Sequence, residues 1–168
     1  MALVLRELMV TDETAFLEAY RTFQDPKFVF ALEYDPTQPF ESYVAKLDAM
    51  KRGVDLPPDR VPATLLFGFV DAVVVGRLSF RHTLNDWLFK HGGHFGYGVV
   101  PQHRRMGYAT GMLRSALPLA KERGLSKVLL IPTNAASRKV VEACGGEYES
   151  ETEDGKGQRY WIRIPGVP

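Results

Sequence analysis

The segment with the clearest chemical potential is a basic turn between an apolar strand and an amphipathic helix. It reads Val99-Val-Pro-Gln-His-Arg-Arg-Met-Gly-Tyr-Ala-Thr110. The start of a helix exposes unpaired backbone N–H groups and the positive end of the helix dipole, and both suit a phosphate. Gly107 and Ala109 keep side chains away from those amides, while Arg104 and Arg105 add positive charge. The segment predicts an anion site, although a glycine that serves only the turn and two solvated arginines would explain the same residues.

The order Arg104-x-x-Gly107-x-Ala109 follows a strand that ends in Val-x-Pro. In that position it resembles the acetyl-CoA signature of the GNAT acyltransferase superfamily, Gln/Arg-x-x-Gly-x-Gly/Ala. The resemblance extends from about Gly92 to Ile164, where Asn134-x-x-Ser137 and Gly145-Gly146 follow in the family's order. It implies an N-acetyltransferase that uses acetyl-CoA as its cosubstrate.

The resemblance also assigns cofactor-binding roles. It implies that backbone amides between Arg105 and Thr110 hold the CoA pyrophosphate, and that backbone groups of Val99 and Val100 bind the pantetheine arm and polarise the thioester carbonyl. Asn134 would hydrogen-bond the pantetheine or orient the catalytic water, and helix capping is its alternative role. The predicted cofactor-binding residues are Val99, Val100, Arg104, Arg105, Met106, Gly107, Tyr108, Ala109, Thr110, Asn134 and Ser137.

Acetyl transfer to an amine also needs a group that removes a proton, because a primary amine like that of lysine is mostly protonated at neutral pH. Alternation along the strand places Tyr97 and Val99 on one face and His94 on the other, unless a bulge before Val99 reverses the parity. Tyr97 is then better placed than His94 to meet the amine. Tyr97 and Asn134 are the candidate catalytic residues, with core packing as the alternative role of Tyr97.

The proton donor for the leaving thiolate is less clear. Many relatives place a tyrosine seven residues after the asparagine, but this chain has Val141 there. The donor would be Tyr148, Tyr160 or water, or the thiolate leaves unassisted. Cys144 follows a helix C-terminus, where the dipole raises the pKa of a thiol, so we expect direct attack of the amine in a ternary complex. The lack of an obvious acid and base leaves a second interpretation, a non-catalytic sensor that binds acyl-CoA.

The acceptor is an amine-bearing small molecule or peptide that the sequence does not identify further. Glu33, Tyr34 and Asp35 lie where the superfamily builds its substrate wall, and they would bind a cationic amine or form only a solvated acidic turn. The histidines show no metal-ligand spacing and the chain has one cysteine, so no metal is predicted. A homodimer is an open possibility.

Length and charge set the broad class. The chain has 168 residues, 45% of them hydrophobic, which predicts a single domain over residues 1–168 with a substantial core. Its net charge of +1 gives no general attraction to nucleic acid or an acidic membrane. The single cysteine, the absence of a signal-like start and the lack of an apolar run of about 18 residues predict a cytoplasmic protein with no membrane partner.

The apolar pattern predicts the elements that must position these residues. Their order is one strand, two helices, three strands, a helix, a strand, a helix and two strands. The predictions include a hairpin of residues 63–70 and 72–80, a strand from Gly92 to Val100 and a helix from Gly107 to Arg123. The fold class is mixed α/β. The resemblance implies the GNAT fold, with a central mixed sheet of six to seven strands that is splayed at the cofactor site and flanked by about four helices.

Overall fold

A computed structural model describes residues 2–168. In chain order, the strands and α-helices of this part are β1 (Val4–Arg6), α1 (Glu13–Thr22), α2 (Phe40–Arg52), β2 (Ala63–Val70), β3 (Val73–Arg81), β4 (Phe95–Val99), α3 (Tyr108–Glu122), β5 (Lys127–Leu130), α4 (Ala135–Ala143), β6 (Glu147–Glu151) and β7 (Gln158–Arg163). The predicted order of strands and helices is confirmed. Within the described residues, no helix is both long enough and apolar enough to cross a membrane.

The strands form two hydrogen-bonded sheets. Four strands pair in the order β1-β2-β3-β4 and three in the order β5-β7-β6, and every pairing within the two sheets is antiparallel. The strand number agrees with the expected six to seven. The ladder is interrupted between β4 and β5, so the splay expected at the cofactor site divides the strands into two sheets.

One residue joins the two sheets. The backbone N–H of His94 donates to the carbonyl of Leu129 at 2.7 Å, and the N–H of Leu129 donates to His94 Nδ1 at 2.9 Å. Both hydrogen bonds lie immediately before β4 begins. The strands β4 and β5 are therefore tied together at the start of β4 and are free to separate beyond it.

The start of β4 differs from the sequence expectation of a strand beginning at Gly92. Residues Leu88–Gly92 form a π-helical turn, and the strand begins only at Phe95. Gly93 lies between them with a φ of 67°, and a Cβ on it would stand 2.5 Å from the carbonyl oxygen of Leu129. Only glycine fits this close approach of two backbones in the left-handed region, so the chain turns into the strand here.

Two hydrophobic clusters cover the two faces of the four-stranded sheet. Helices α1 and α2 pack on one face around Phe16 and Phe67, and α3 and α4 pack on the other around Leu78 and Met112. All residues of β2 are buried. A strand that is covered on both faces reads as a continuous apolar run, which explains why the sequence shows no alternation there.

Candidate active site

The site begins at an open edge of β4. The pairing of β3 with β4 runs without a register shift. His94 O accepts from β3 at 2.8 Å and Val100 N donates to β3 at 2.9 Å, so the even-numbered residues face that partner. Because successive residues of a strand direct their backbone groups to opposite edges, Tyr97 and Val99 direct theirs away from β3, toward the gap before β5. The absence of a bulge also confirms the predicted parity of Tyr97.

The structure separates the two valines that were expected to bind the pantetheine. Val100 is buried, its N–H donates to Val75 O at 2.9 Å, and its carbonyl accepts from His103 N at 2.8 Å. Both of its backbone groups are thus used within the chain. Val99 O accepts only from the side chain of Arg104, at 3.1 Å from Nε. Of the pair, Val99 alone offers its backbone at the open edge.

The turn after β4 presents unpaired amides. A 3-10 turn, Pro101–His103, leads to Arg105 with a φ of 63° and to Gly107 with a φ of 82°. A Cβ built on Gly107 has no heavy atom within 4 Å, so the space in front of the helix is open. The first helical hydrogen bond runs from Gly111 N to Gly107 O at 3.0 Å. The N–H groups of residues 108–110 are therefore the orphan donors of the α3 N-terminus.

Positive charge surrounds these amides. Arg104, Arg105 and Met106 are exposed. Arg104 is held beside the strand edge by its bond to Val99 O, and its guanidinium lies 5.8 Å from the ring centre of Phe23. Neither arginine forms an ion pair with a carboxylate of the described residues. Their charge is available to an anion at the helix start.

The start of α4 contacts Tyr97 through Ser137, and Asn134 caps this helix. Asn134 Oδ1 accepts from Ser137 N at 2.9 Å, which shows the capping role. The side-chain NH2 of Asn134 has no hydrogen bond within the described residues, and Asn134 is exposed. A donor thus remains free while the oxygen holds the helix start. Ser137 contributes its carbonyl, which accepts from the hydroxyl of Tyr97 at 3.3 Å.

Tyr97 is half-buried and packs with the cluster beneath α3 and α4. Burial raises the pKa of its hydroxyl above the ordinary value, and the interaction with the side chain of Ser137 only partly offsets this. The hydroxyl therefore carries its proton at neutral pH. This state suits a proton donor better than the base suggested by the sequence.

The other candidate proton donors, Tyr148 and Tyr160, are engaged elsewhere. Val141, which stands where a tyrosine donor was expected, is 1% exposed and lies in the core. The hydroxyl of Tyr160 donates to Glu142 at 2.9 Å, and that of Tyr148 donates to Glu151 at 3.2 Å. Both phenols are thus already bonded to carboxylates.

Cys144 lies at the end of α4, next to the first turn of α3. Its thiol is 3.8 Å from Thr110 O and points its proton at that carbonyl. Burial raises the pKa of the thiol, and Arg114 nearby lowers it less. The thiolate that nucleophilic catalysis requires is therefore disfavoured.

Glu33, Tyr34 and Asp35, the candidate substrate-binding residues, make separate contacts. Glu33 forms ion pairs with Lys46 at 3.6 Å and with Arg60 at 3.7 Å. Asp35 accepts from the backbone N and the hydroxyl of Thr37, and Tyr34 packs in the aromatic cluster of the core. Of the three residues, only Glu33 borders a cavity.

A cavity of about 1140 Å³ lies between α2, the loop that follows it and the end of β3. It was not predicted from the sequence. Arg81, the last residue of β3, lines it. The sequence feature that could have indicated it is the pair Arg77 and Arg81, which lie on one face of the otherwise apolar strand β3. Among residues 2–168, no group of three or more histidine, cysteine, aspartate or glutamate side chains is arranged to hold a metal ion.

Comparison with known proteins shows the family of the chain and structures of similar fold. Residues 16–145 match the sequence model of the acetyltransferase (GNAT) family. No curated protein matches the chain significantly. Among solved structures, a ribosomal-protein-S5-alanine acetyltransferase from Vibrio fischeri is 16% identical with a TM-score of 0.68, covering 100% of this chain and 96% of that one.

Two further structures contain CoA compounds. RimJ of Mycobacterium smegmatis, in complex with CoA-disulfide, is 18% identical with a TM-score of 0.65, and the match covers 99% of this chain and 84% of that one. The putative acetyltransferase yncA of Salmonella typhimurium, with its cofactor acetyl-CoA, is 15% identical with a TM-score of 0.61, covering 99% and 96%. At these identities the likeness shows a shared fold.

Proposed function

Because the chain belongs to the acetyltransferase (GNAT) family, we propose that it is a cytoplasmic N-acetyltransferase. It moves the acetyl group of acetyl-CoA to the amine of a small molecule or peptide, by direct attack in a ternary complex. One observation carries the proposal: the open edge of β4 at Val99 lies next to the unpaired amides that begin α3. One molecule of acetyl-CoA would fill both places, with its thioester along the strand edge and its pyrophosphate at the helix start.

The residues of the turn fit a pyrophosphate. Three orphan N–H groups, open space in front of Gly107 and the unpaired guanidinium of Arg105 meet at one helix end. Backbone donors and the helix dipole favour an anion there, and an arginine adds a charge-assisted hydrogen bond. The complexes of related folds with acetyl-CoA and CoA-disulfide support the same ligand for this chain.

The backbone of β4 supplies the electrophilic part of the site. The N–H groups of Tyr97 and Val99 have no strand partner on the open edge. An N–H aimed at a thioester carbonyl stabilises the negative charge that develops on its oxygen during attack. These donors are held by the sheet, so they need no rearrangement when the charge forms.

Proton movement uses few side chains. Tyr97 holds a proton at neutral pH and is the donor that this chain has in place of the missing tyrosine at Val141. Asn134 offers its free NH2 group to the pantetheine or to a catalytic water. Water removes the proton of the amine, since the imidazole of His94 is bonded to Leu129 N and the hydroxyl of Tyr97 keeps its proton.

The proposal is tested by release of free CoA from acetyl-CoA with a panel of acceptors: amino acids, polyamines, an aminoglycoside and short peptides. Calorimetric binding of CoA is measured in parallel. Turnover that depends on an amine supports the proposal. Tight CoA binding without turnover on any amine would favour the acyl-CoA sensor, which the buried Val141 suggests. Failure to bind CoA at all would contradict both.

A further inference from the structure

The cavity beside Arg81 is a feature that the proposed acetyl-CoA site leaves unused. Its walls come from α2, the proline-rich loop after it and the end of β3, where Ser79 and Arg81 form part of the floor. It lies on the face of the sheet opposite α3 and α4. Acetyl-CoA is assigned to the other side of the β4 edge, so the cavity is open to a second substrate.

Arg81 is a half-buried charge with one unbonded edge. Its Nη1 donates to Gly92 O at 3.0 Å and to Gly93 O at 3.2 Å. Its Nε and Nη2 have no hydrogen bond within the described residues, yet neither is sealed from solvent. Nε–H and Nη2–H are parallel and lie on the same edge of a guanidinium, and this pair matches the two oxygens of a carboxylate.

The charge of Arg81 has no counter-ion. None of the described carboxylates lies within ion-pair distance of it, and partial burial, followed by the charge of nearby Arg60, lowers its pKa to about 10. The side chain is still protonated at neutral pH. Partial desolvation of a cation without an anion is unfavourable, and an anionic ligand would offset that cost.

Other charges of the cavity belong to its rim. The lining carboxylates are all on exposed residues, namely Glu33, Asp55, Asp59 and Asp86. Glu33 is already paired with Lys46 and Arg60. Water screens exposed charges, so they contribute less than the half-buried guanidinium. A cationic group would meet the wrong charge at the inner end of the cavity.

The guanidinium lies close to the reaction edge. A Cβ built on Gly96 would stand 3.3 Å from Arg81 Nη2, so this nitrogen abuts the bare backbone of β4. The next residue is Tyr97, whose backbone faces the gap where the thioester is assigned. Adjacent strand residues are about 3.3 Å apart, so a carboxylate on Arg81 and an amine at the edge are separated by only a few bonds.

We propose that the acceptor of this acetyltransferase carries a carboxylate close to its amine, as a free amino acid does, and that the Nε and Nη2 edge of Arg81 binds that carboxylate. The inference rests on the proposed function for the identity of the reaction. The carboxylate fixes the molecule in the cavity. The amine is thereby directed at the β4 edge, and its attack on the acetyl carbonyl releases CoA as the thiol and the N-acetyl amino acid.

The test compares each amino acid with its own carboxamide, which has nearly the same shape but no negative charge. Release of CoA is measured for both, and binding of the amino acid to the protein loaded with CoA is measured by calorimetry. The native protein should prefer at least one amino acid over its amide by about tenfold or more in kcat/KM. Equal use of acids and amides would overturn the proposal.

Substitution separates recognition from folding. Arg81→Gln should lower kcat/KM for the amino acid by about tenfold or more and leave the value for the amide within about twofold, with CoA binding unchanged. Arg81→Lys keeps the charge without the paired N–H edge and should lie in between; it also serves if Arg81→Gln fails to fold. Arg52→Gln, which removes an exposed arginine outside the cavity, is the control. Equal loss for acid and amide would show a structural role only and would overturn the proposal.

Failure of the proposed function is recognised separately. In that case no acceptor releases CoA from acetyl-CoA. The binding arm still decides the site: calorimetric binding of an amino acid that is lost in Arg81→Gln supports a carboxylate site, and absence of binding to the native protein refutes it.

Discussion

His94 Nδ1 accepts a hydrogen bond from the backbone N–H of Leu129 at 2.9 Å, and this contact joins the two sheets immediately before β4 begins. The ring can accept at Nδ1 only while it is neutral. Burial, followed by the nearby charge of Arg81, lowers the pKa of His94 to about 4. The imidazole is thus neutral at physiological pH and acts as a structural link, which is a different role from the catalytic one weighed for it against Tyr97.

The first prediction concerns acid stability. The pKa of His94 in the folded protein is about 4, below its ordinary value of 6.5, so between these values the unfolded chain binds more protons. The stability that neutral His94 contributes should be fully present above pH 6.5, and the free energy of unfolding should fall as the pH drops from 6.5 to 4. His82 has its pKa lowered to about 4 by burial and adds a second proton to the same window. Each proton contributes a slope of at most about 1.4 kcal/mol per pH unit.

Urea unfolding across this pH range tests the link with two variants. His94→Asn places an amide oxygen near the position of Nδ1 and should flatten the slope by about one proton. His94→Leu leaves the N–H of Leu129 unpaired and should cost about 1–3 kcal/mol at neutral pH. If the free energy of unfolding of His94→Asn kept the full dependence on pH, groups other than His94 would be responsible for it.

The second prediction concerns the helix start. Gly107→Glu should abolish binding of CoA, because its carboxylate would occupy the space of the phosphate and oppose its charge. The left-handed backbone also strains any side chain there, by about 1–2 kcal/mol. Gly124→Glu is the matched control, since Gly124 lies at the other end of α3 with a φ of 76° and equally open surroundings. Calorimetry with CoA should show binding in the control alone; tight binding by a folded Gly107→Glu variant would sink the assignment.

The third prediction separates the two roles of Asn134. Asn134→Asp keeps an oxygen for Ser137 N but loses the NH2 donor, so the melting temperature should hold while acetyl-CoA turnover falls. Asn134→Ala should lower both, with about 1 kcal/mol lost from the cap. Thermal melts and the CoA-release assay give the two readouts. A fully active aspartate variant would mean that only capping matters.

The fourth prediction concerns Cys144. Cys144→Ala should retain most turnover, because a thiol with a raised pKa that donates to Thr110 O is a poor nucleophile. Trimming the half-buried side chain should reduce stability only modestly. Initial-rate lines at varied concentrations of both substrates should intersect, as a ternary complex requires. Parallel lines, or an acetyl group trapped on Cys144 and seen by mass spectrometry, would contradict direct attack.

The sequence by itself determined the order of strands and helices, the hairpin around Asp71 and the turn of residues 101–107. These features depend on neighbours within a few residues, because apolar period, glycine placement and helix starts are local properties of the chain. The cap of Asn134 on Ser137 is local in the same way.

Only the tertiary structure decided how distant segments meet. His94 and Leu129 are 35 positions apart, and Arg77 binds the carbonyl of Phe30 from 47 positions away. The tertiary structure also decided that the N–H of Val100 donates to Val75 in β3 and that Arg81, with its unbonded Nε and Nη2, lines a cavity. A side chain's partner across the fold depends on how the sheets twist and pack, and no local pattern of residue types records that distance.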